Sequence, residues 1–490
     1  MTEKELSDQK REEEKPAPPP DRESVTEHTA RIGEQTVAYR AVAGTTTLRS
    51  EEGEPKASLF SIAYARTDVG EAAERPLTFV FNGGPGSSST WLHLGMLGPR
   101  RVDLPDRPTP PLPPYGLVDN DASLLDVSDL VFIDPVSTGY SRAAAGQEVR
   151  QFHGFREDLE SVGEFIRLYT TRTGRWKSPK FVVGESYGTT RAAGLAHHMQ
   201  ERHGMYLNGV GLISAVLLFQ ASLPAPGNDL PYALLLPTYA ATAWYHGRLG
   251  GRAGSLGELT QEVEEFALTE YASLLLRGSR APASARAATL ERLAGYTGLS
   301  ESFLDACDLR VTPARFFKEL LRSERRTVGR LDSRFTGIDA DAAGEAAEYD
   351  PSFAIIQPPF TAAVNAYLRG ELRFESDLPY EVLNPERVRP WNFGDDASNK
   401  YLDVASMLRQ AMSRNRDLKV LLASGYFDLA TPFAAAEWTL DHMGLDPSLA
   451  ANVRKMRYEA GHMMYIHPPS RHLLAEDLRA LVCAPPPTLM

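Results

Sequence analysis

Cysteine is nearly missing: the 490 residues hold only Cys307 and Cys483. Two thiols cannot build a disulfide framework, so an apolar core must hold the fold, and nothing in the chain requires an oxidising compartment. Both are expected to be buried or free thiols. Long apolar runs are missing too, since the longest, Gly209 to Phe219, is too short to span a bilayer. Positive charge is in deficit. The 52 Lys and Arg against 64 Asp and Glu leave a net charge of −12 without any basic run, which excludes nucleic-acid binding as the main role. There is no HExxH, and His198 and His203, five apart, are expected to point away from each other on a helix, so no metal or other cofactor is expected. The first 25 residues are charged and proline-containing, lack the apolar centre of a signal peptide, and read as a disordered tail. A cytoplasmic protein with no membrane partner is therefore expected, and nothing in the sequence fixes an oligomeric state.

What is present is a substantial apolar inventory, 42% of residues, enough for a sizeable core. From Gln35 to Tyr64 the chain alternates loosely, as antiparallel strands joined by a polar turn near Glu51 to Glu54 would. Then come short, nearly continuous apolar runs: Leu77 to Phe81, Leu130 to Asp134, Lys180 to Gly184, Gly209 to Phe219 and Leu418 to Ser424. Such runs suit strands buried on both faces of a parallel sheet. Phe152, Phe155, Leu159, Val162, Ile166 and Tyr169 mark an amphipathic crossover helix between the second and third runs, and another helix follows Ser186. The expected fold is α/β, with a mostly parallel sheet flanked by helices. Its core takes in residues 26–219 and 394–490, interrupted by a mainly helical insertion at 220–393.

The strongest local signal is Gly184-Glu185-Ser186-Tyr187-Gly188, a G-x-S-x-G between an apolar strand and a helix. A nucleophile elbow needs small residues two before and two after the serine, and it lifts Oγ above the sheet beside a helix N-terminus. A near-match at Gly139-Tyr140-Ser141 lacks the closing glycine, which is Ala143, and reads as a structural loop. A serine needs a base and a group to orient it. Asp428, just beyond the Leu418 to Ser424 run, fits the acid better than Asp403, Asp417 or Asp441, and His462, following Gly461, fits the base better than His467 or His472. The backbone N–H of Tyr187 and one from the loop Asn82-Gly83-Gly84-Pro85-Gly86-Ser87 can serve a tetrahedral oxyanion. No Gly-Lys-Ser/Thr closes that loop, so it is not a phosphate cradle.

Together, FNGGPGSSS, VFIDPVSTGYS, GESYG, SGYFDLATP and AGHMMY, in this order, resemble the serine carboxypeptidase family of the α/β-hydrolases. The resemblance runs from about Leu77 to the C-terminus, with 220–393 in the position of the family's cap. It implies Ser186 as nucleophile, His462 as base, Asp428 as its orienting acid, Gly84 and Tyr187 as oxyanion donors, and Asn82 and Glu185 as readers of a substrate's terminal carboxylate. The implied substrates are peptides with a free C-terminus, cleaved without a cofactor. The family's second glutamate is Met96 here, its cysteine after GPG is Ser87, and its tryptophan two before the asparagine is Val80. Met96 favours the alternatives of an esterase or acyltransferase on the same triad; a catalytically silent binding protein is a third. The family's usual leader and disulfides are missing, which points to an intracellular relative.

Overall fold

The structure, a computed structural model, describes residues 21–70, 72–105, 111–251, 254–394 and 400–484. Residues 1–20 of the expected tail and prolines 485–487 lie outside the described residues. Nine strands form the path of the central sheet: β1 (Glu23–Ile32), β2 (Gln35–Arg49), β3 (Pro55–Arg66), β4 (Leu77–Phe81), β5 (Asp129–Ile133), β6 (Lys180–Glu185), β7 (Gly209–Ile213), β8 (Lys419–Gly425) and β9 (Val453–Tyr458). Their spatial order is β1-β2-β3-β5-β4-β6-β7-β8-β9, with a short strand at Arg142–Ala143 also on β3. From β5 to β9 every pairing is parallel, while β1, β2 and β3 run antiparallel and join the rest through β3 and β5. The expected α/β architecture is found.

The apolar runs are nearly continuous because the parallel strands are covered twice. Phe79, Phe81, Val131 and Val182 face one side, with helices α1 (Phe155–Arg172) and α2 (Tyr187–His203). Val80, Phe132, Phe181 and Val183 face the other, against the helix Pro468–Val482. The cost of ordering this much chain is offset by apolar area removed from water on both faces.

Three expectations are corrected. The tail predicted through residue 25 gives way to β1 at Glu23, because Arg22 N–H bonds Thr45 Oγ1 and β1 pairs with β2 along its length; its charged side chains alternate outward. The run Gly209 to Phe219 is a strand only to Ile213, since the backbone turns at Ser214, at φ 53°, and Ala215 and Leu217 go on to pack beside α2. His198 and His203 do not diverge. His198 lies against Gly163 of α1, and the two rings meet edge-on with centroids 5.8 Å apart.

The insertion holds α3 (Leu230–Tyr245) and α4 (Leu256–Phe266) around an apolar cluster of its own, together with a two-stranded hairpin, Arg326–Val328 and Thr336–Ile338. α5 (Pro351–Gly370), Phe374 and Tyr380 instead pack into the core of the sheet. Cys307 is buried and Cys483 exposed, both as free thiols. No helix among the described residues is long and apolar enough to cross a membrane.

Candidate active site

β6 ends at Glu185, and α2 begins at Tyr187, so Ser186 is the whole of the connection. Its backbone is held at φ 59°, ψ −130°, a conformation an L-residue adopts only when its surroundings impose it. The Ser186 N–H is tied to Ile213 O of the neighbouring strand at 3.0 Å. The flanking glycines are a packing requirement. A Cβ at Gly184 would lie 2.1 Å from Gly188 O, and one at Gly188 would lie 2.9 Å from Asn82 O. Ser186 is thereby left part-exposed at the N-terminus of α2, where the first N–H groups of the helix have no intrahelical acceptor. Tyr187 N–H is the first of these. The loop after β4 presses against it, for a Cβ at Gly83 would come within 2.5 Å of Tyr187 N, and the next residue, Gly84, is exposed.

Asp428 and His462 come together from the loops after β8 and β9. His462 Nδ1 and Asp428 Oδ2 are 2.8 Å apart. Asp428 is fully buried, and its other oxygen accepts from Ala430 N–H at 2.8 Å and Thr431 N–H at 3.0 Å, while Thr431 Oγ1 donates to Oδ2 at 2.6 Å. These donors fix the carboxylate in place. Burial works against a charged imidazole, but the charge of Asp428, its hydrogen bond and the charge of Glu185 outweigh it, raising His462 above its ordinary value. The backbone of His462 is pinned as well: its N–H donates to Leu331 O of the cap at 2.6 Å, and its carbonyl accepts from Ser214 Oγ at 2.7 Å.

The rivals are engaged elsewhere. Asp441 pairs with Lys455, Asp403 accepts from Ser406 N–H, His467 Nδ1 bonds Ser470 Oγ, and His472 lies near Asp121. Ser141 Oγ donates to Asp134 O at 2.6 Å, so the second G-x-S near-match is a loop clamp, as expected.

Immediately beside the elbow sits a polar pair. Asn82 Oδ1 accepts from Leu92 N–H at 3.0 Å, which orients the amide so that Nδ2 donates to Glu185 Oε1 at 3.1 Å. Glu185 is 4% exposed, and burial pushes its carboxyl up to about 7, with His462 acting in the other direction. Its second oxygen, Oε2, closes no hydrogen bond of ordinary geometry with any described residue, though the Tyr465 hydroxyl lies close by. Met96 is completely buried in the apolar cluster.

Residues 34–219 match the family model of the serine carboxypeptidases. Over this segment the chain is similar to that family. Kex1(delta)p, a prohormone-processing carboxypeptidase from Saccharomyces cerevisiae, is similar in fold, with TM-score 0.54, 15% identity and 91% of each chain covered. VinJ (TM-score 0.39, 14% identity, 89% of this chain and 98% of that one) and a proline iminopeptidase from Mycobacterium smegmatis (0.36, 13%, 94% and 99%) are more distant. No curated protein matches the chain in sequence. The fold is that of the α/β-hydrolases, and with the serine carboxypeptidase segment it supports a hydrolase.

Two residues that the sequence did not single out stand in this serine carboxypeptidase-like site. Arg191 of α2 is fully buried: Nε donates to Asp158 of α1 at 2.8 Å, and Nη1 donates to Asn82 O at 2.7 Å. Its guanidinium also lies over the Phe81 and Tyr187 rings. It thus joins the glycine loop, the elbow helix and the crossover helix. Its position five residues beyond Ser186 was the available signal, but a helical Arg ordinarily reads as solvated. Arg191→Met is expected to destabilise the fold by about 3–5 kcal/mol, because Asp158 would be left as an unpaired buried charge. Urea unfolding tests this, and a loss below about 1 kcal/mol would show that the pair is not structural. The second residue is Tyr465, whose hydroxyl faces Glu185 and Asn82.

The cap reaches the same place. Besides Leu331 O on His462, Arg330 O accepts from Leu429 N–H, Ser333 N–H donates to Phe427 O, and Asp332 Oδ2 accepts from Gly461 N–H. The segment 330–333 is therefore bonded to both loops that carry Asp428 and His462.

Proposed function

We propose that the protein is a serine-type carboxypeptidase that removes C-terminal residues from peptides. The observation that carries this reading is the buried Asn82–Glu185 pair at the foot of the Ser186 elbow. A general esterase needs no buried amide and acid next to its nucleophile, whereas a terminal carboxylate held there would present the preceding peptide bond to Ser186. In this reading His462 Nε2 takes the proton of Ser186 Oγ as Oγ attacks the scissile carbonyl, and Asp428 holds the imidazole with its proton on Nδ1. Gly84 and Tyr187 N–H groups stabilise the tetrahedral oxyanion. His462 then protonates the leaving amine, an acyl-enzyme remains, and water releases it by the same steps in reverse order.

Glu185 has to be neutral to receive a carboxylate. With its carboxyl at about 7, it is protonated below that pH and anionic above it, so the affinity for free-acid peptides is lost as pH rises through 7. His462 must be neutral to act as base, and its raised value limits activity on the acid side. Because neutralising Glu185 removes one of the charges that raise His462, the two titrate as a coupled pair. The expected kcat/KM profile for an N-blocked dipeptide is bell-shaped, with an acid limb from His462 and an alkaline limb from Glu185 at about 7, KM increasing about tenfold per pH unit above that. An ester lacking a free carboxylate is expected to show only the acid limb. Equal profiles for the two, or equal cleavage of free and amidated C-termini, would favour the esterase reading that Met96 suggests.

A further inference from the structure

Glu185 Oε1 is occupied by Asn82, and Asn82 Nδ2 keeps a second N–H beyond that bond. Glu185 Oε2 and Tyr465 Oη are both buried and close enough to act on each other, yet neither closes a hydrogen bond of ordinary geometry with any described residue. A buried hydroxyl without a partner is costly and is normally avoided. The ring is delivered by the loop that follows His462, and Gly95 lets it in: a Cβ there would lie 2.4 Å from Tyr465 Cε2. The neighbouring Met96 brings no oxygen or nitrogen to this side of the site, whereas Tyr465 brings a hydroxyl.

We propose that Tyr465 is a carboxylate-binding residue, its hydroxyl placed with Asn82 Nδ2 and the Glu185 carboxyl to hold the terminal carboxylate of a peptide substrate. The assignment rests on the carboxypeptidase reading above. With Glu185 protonated, three N–H or O–H donors converge, and a carboxylate with two oxygens can accept from all of them. A C-terminal amide offers one acceptor and brings two donors of its own, so it is disfavoured by the same arrangement. The charged or titratable groups acting on Glu185 from the neighbouring loops are His462 and Asp428. The acidic partner missing at position 96 is thus replaced by a neutral phenol from another loop.

The test compares the full-length wild type and Tyr465→Phe on an N-blocked dipeptide with a free C-terminus and on its C-terminal amide. Removing one donor to a charged acceptor is expected to raise KM for the acid about tenfold or more, with kcat changed less than about threefold and the acid-over-amide preference reduced in proportion. Calorimetric binding of the acid to Ser186→Ala and to Ser186→Ala/Tyr465→Phe is expected to show the same loss, independently of turnover. A merely structural role would shift acid and amide alike. That result, or an unchanged preference for the acid in Tyr465→Phe, overturns the assignment while leaving the carboxypeptidase reading standing. If the wild type cleaves neither peptide and Ser186→Ala binds neither, both fall together.

Discussion

Ser186→Ala is expected to lower kcat by about 10⁶-fold, the scale found when the nucleophile of a serine triad is removed. The hydroxyls of Ser214, Thr189 and Thr431 are committed to His462 O, Ser186 O and Asp428 Oδ2, so none of these three stands ready to take its place. The substitution keeps Cβ, so the φ of 59° is no harder to hold than before, and the variant should melt where the wild type does. What remains should be the contribution of substrate binding and the Gly84 and Tyr187 donors, about 10³–10⁴ over the reaction in water. Loss of labelling by a fluorophosphonate should accompany the loss of turnover. A variant that keeps a tenth of the activity, or that still takes up the probe, would remove Ser186 from the mechanism.

Asp428→Asn is expected to reduce kcat by about 10⁴-fold with little change in KM. The site explains why so small a change should matter. Asp428 Oδ1 is fixed by two backbone N–H groups, so an asparagine would keep its oxygen there and turn its NH₂ towards His462 Nδ1 and Thr431 Oγ1. Two donors would then meet, and the imidazole would move its proton to Nε2, where it can no longer accept one from serine. The substitution also removes the charge that raises His462, so the acid limb of the profile should move to lower pH. A decrease of less than about tenfold, or an unmoved acid limb, would show that Asp428 does not orient the base.

The parts of this molecule that were legible in sequence are those in which local crowding dictates residue type. The elbow needs Gly184 and Gly188 because backbone atoms stand within 3 Å of where a side chain would go, and the parallel strands read as apolar runs because both faces are covered. The order Ser186, Asp428, His462 was readable because each follows a recognisable strand. β1 was not: its outward half is charged, and only the ladder to β2 makes it a strand. Nor was the end of β7 at Ile213, since Ala215 to Phe219 is equally apolar whether it pairs in a sheet or packs beneath a helix. Arg191 and Tyr465 escaped for a different reason. Each acts through partners more than 20 residues away, Asp158 and Asn82 for the first, Gly95 and Glu185 for the second, and spacing carries no record of such meetings.

The bonds from residues 330–333 to Leu429, Phe427, Gly461 and His462 bear on any attempt to redesign specificity. Cap domains invite grafting, because they line substrate pockets and look like interchangeable attachments. Here that short segment works as a backboard for the loops that carry Asp428 and His462, the acid and base of the proposed mechanism. A graft that replaced it along with the rest of the cap would loosen the acid and the base together, and a chimera made for a new substrate would lose turnover before its new pocket could be judged. Exchanges confined to α3, α4 and the helices beside them, with 329–335 retained, keep the two problems separate.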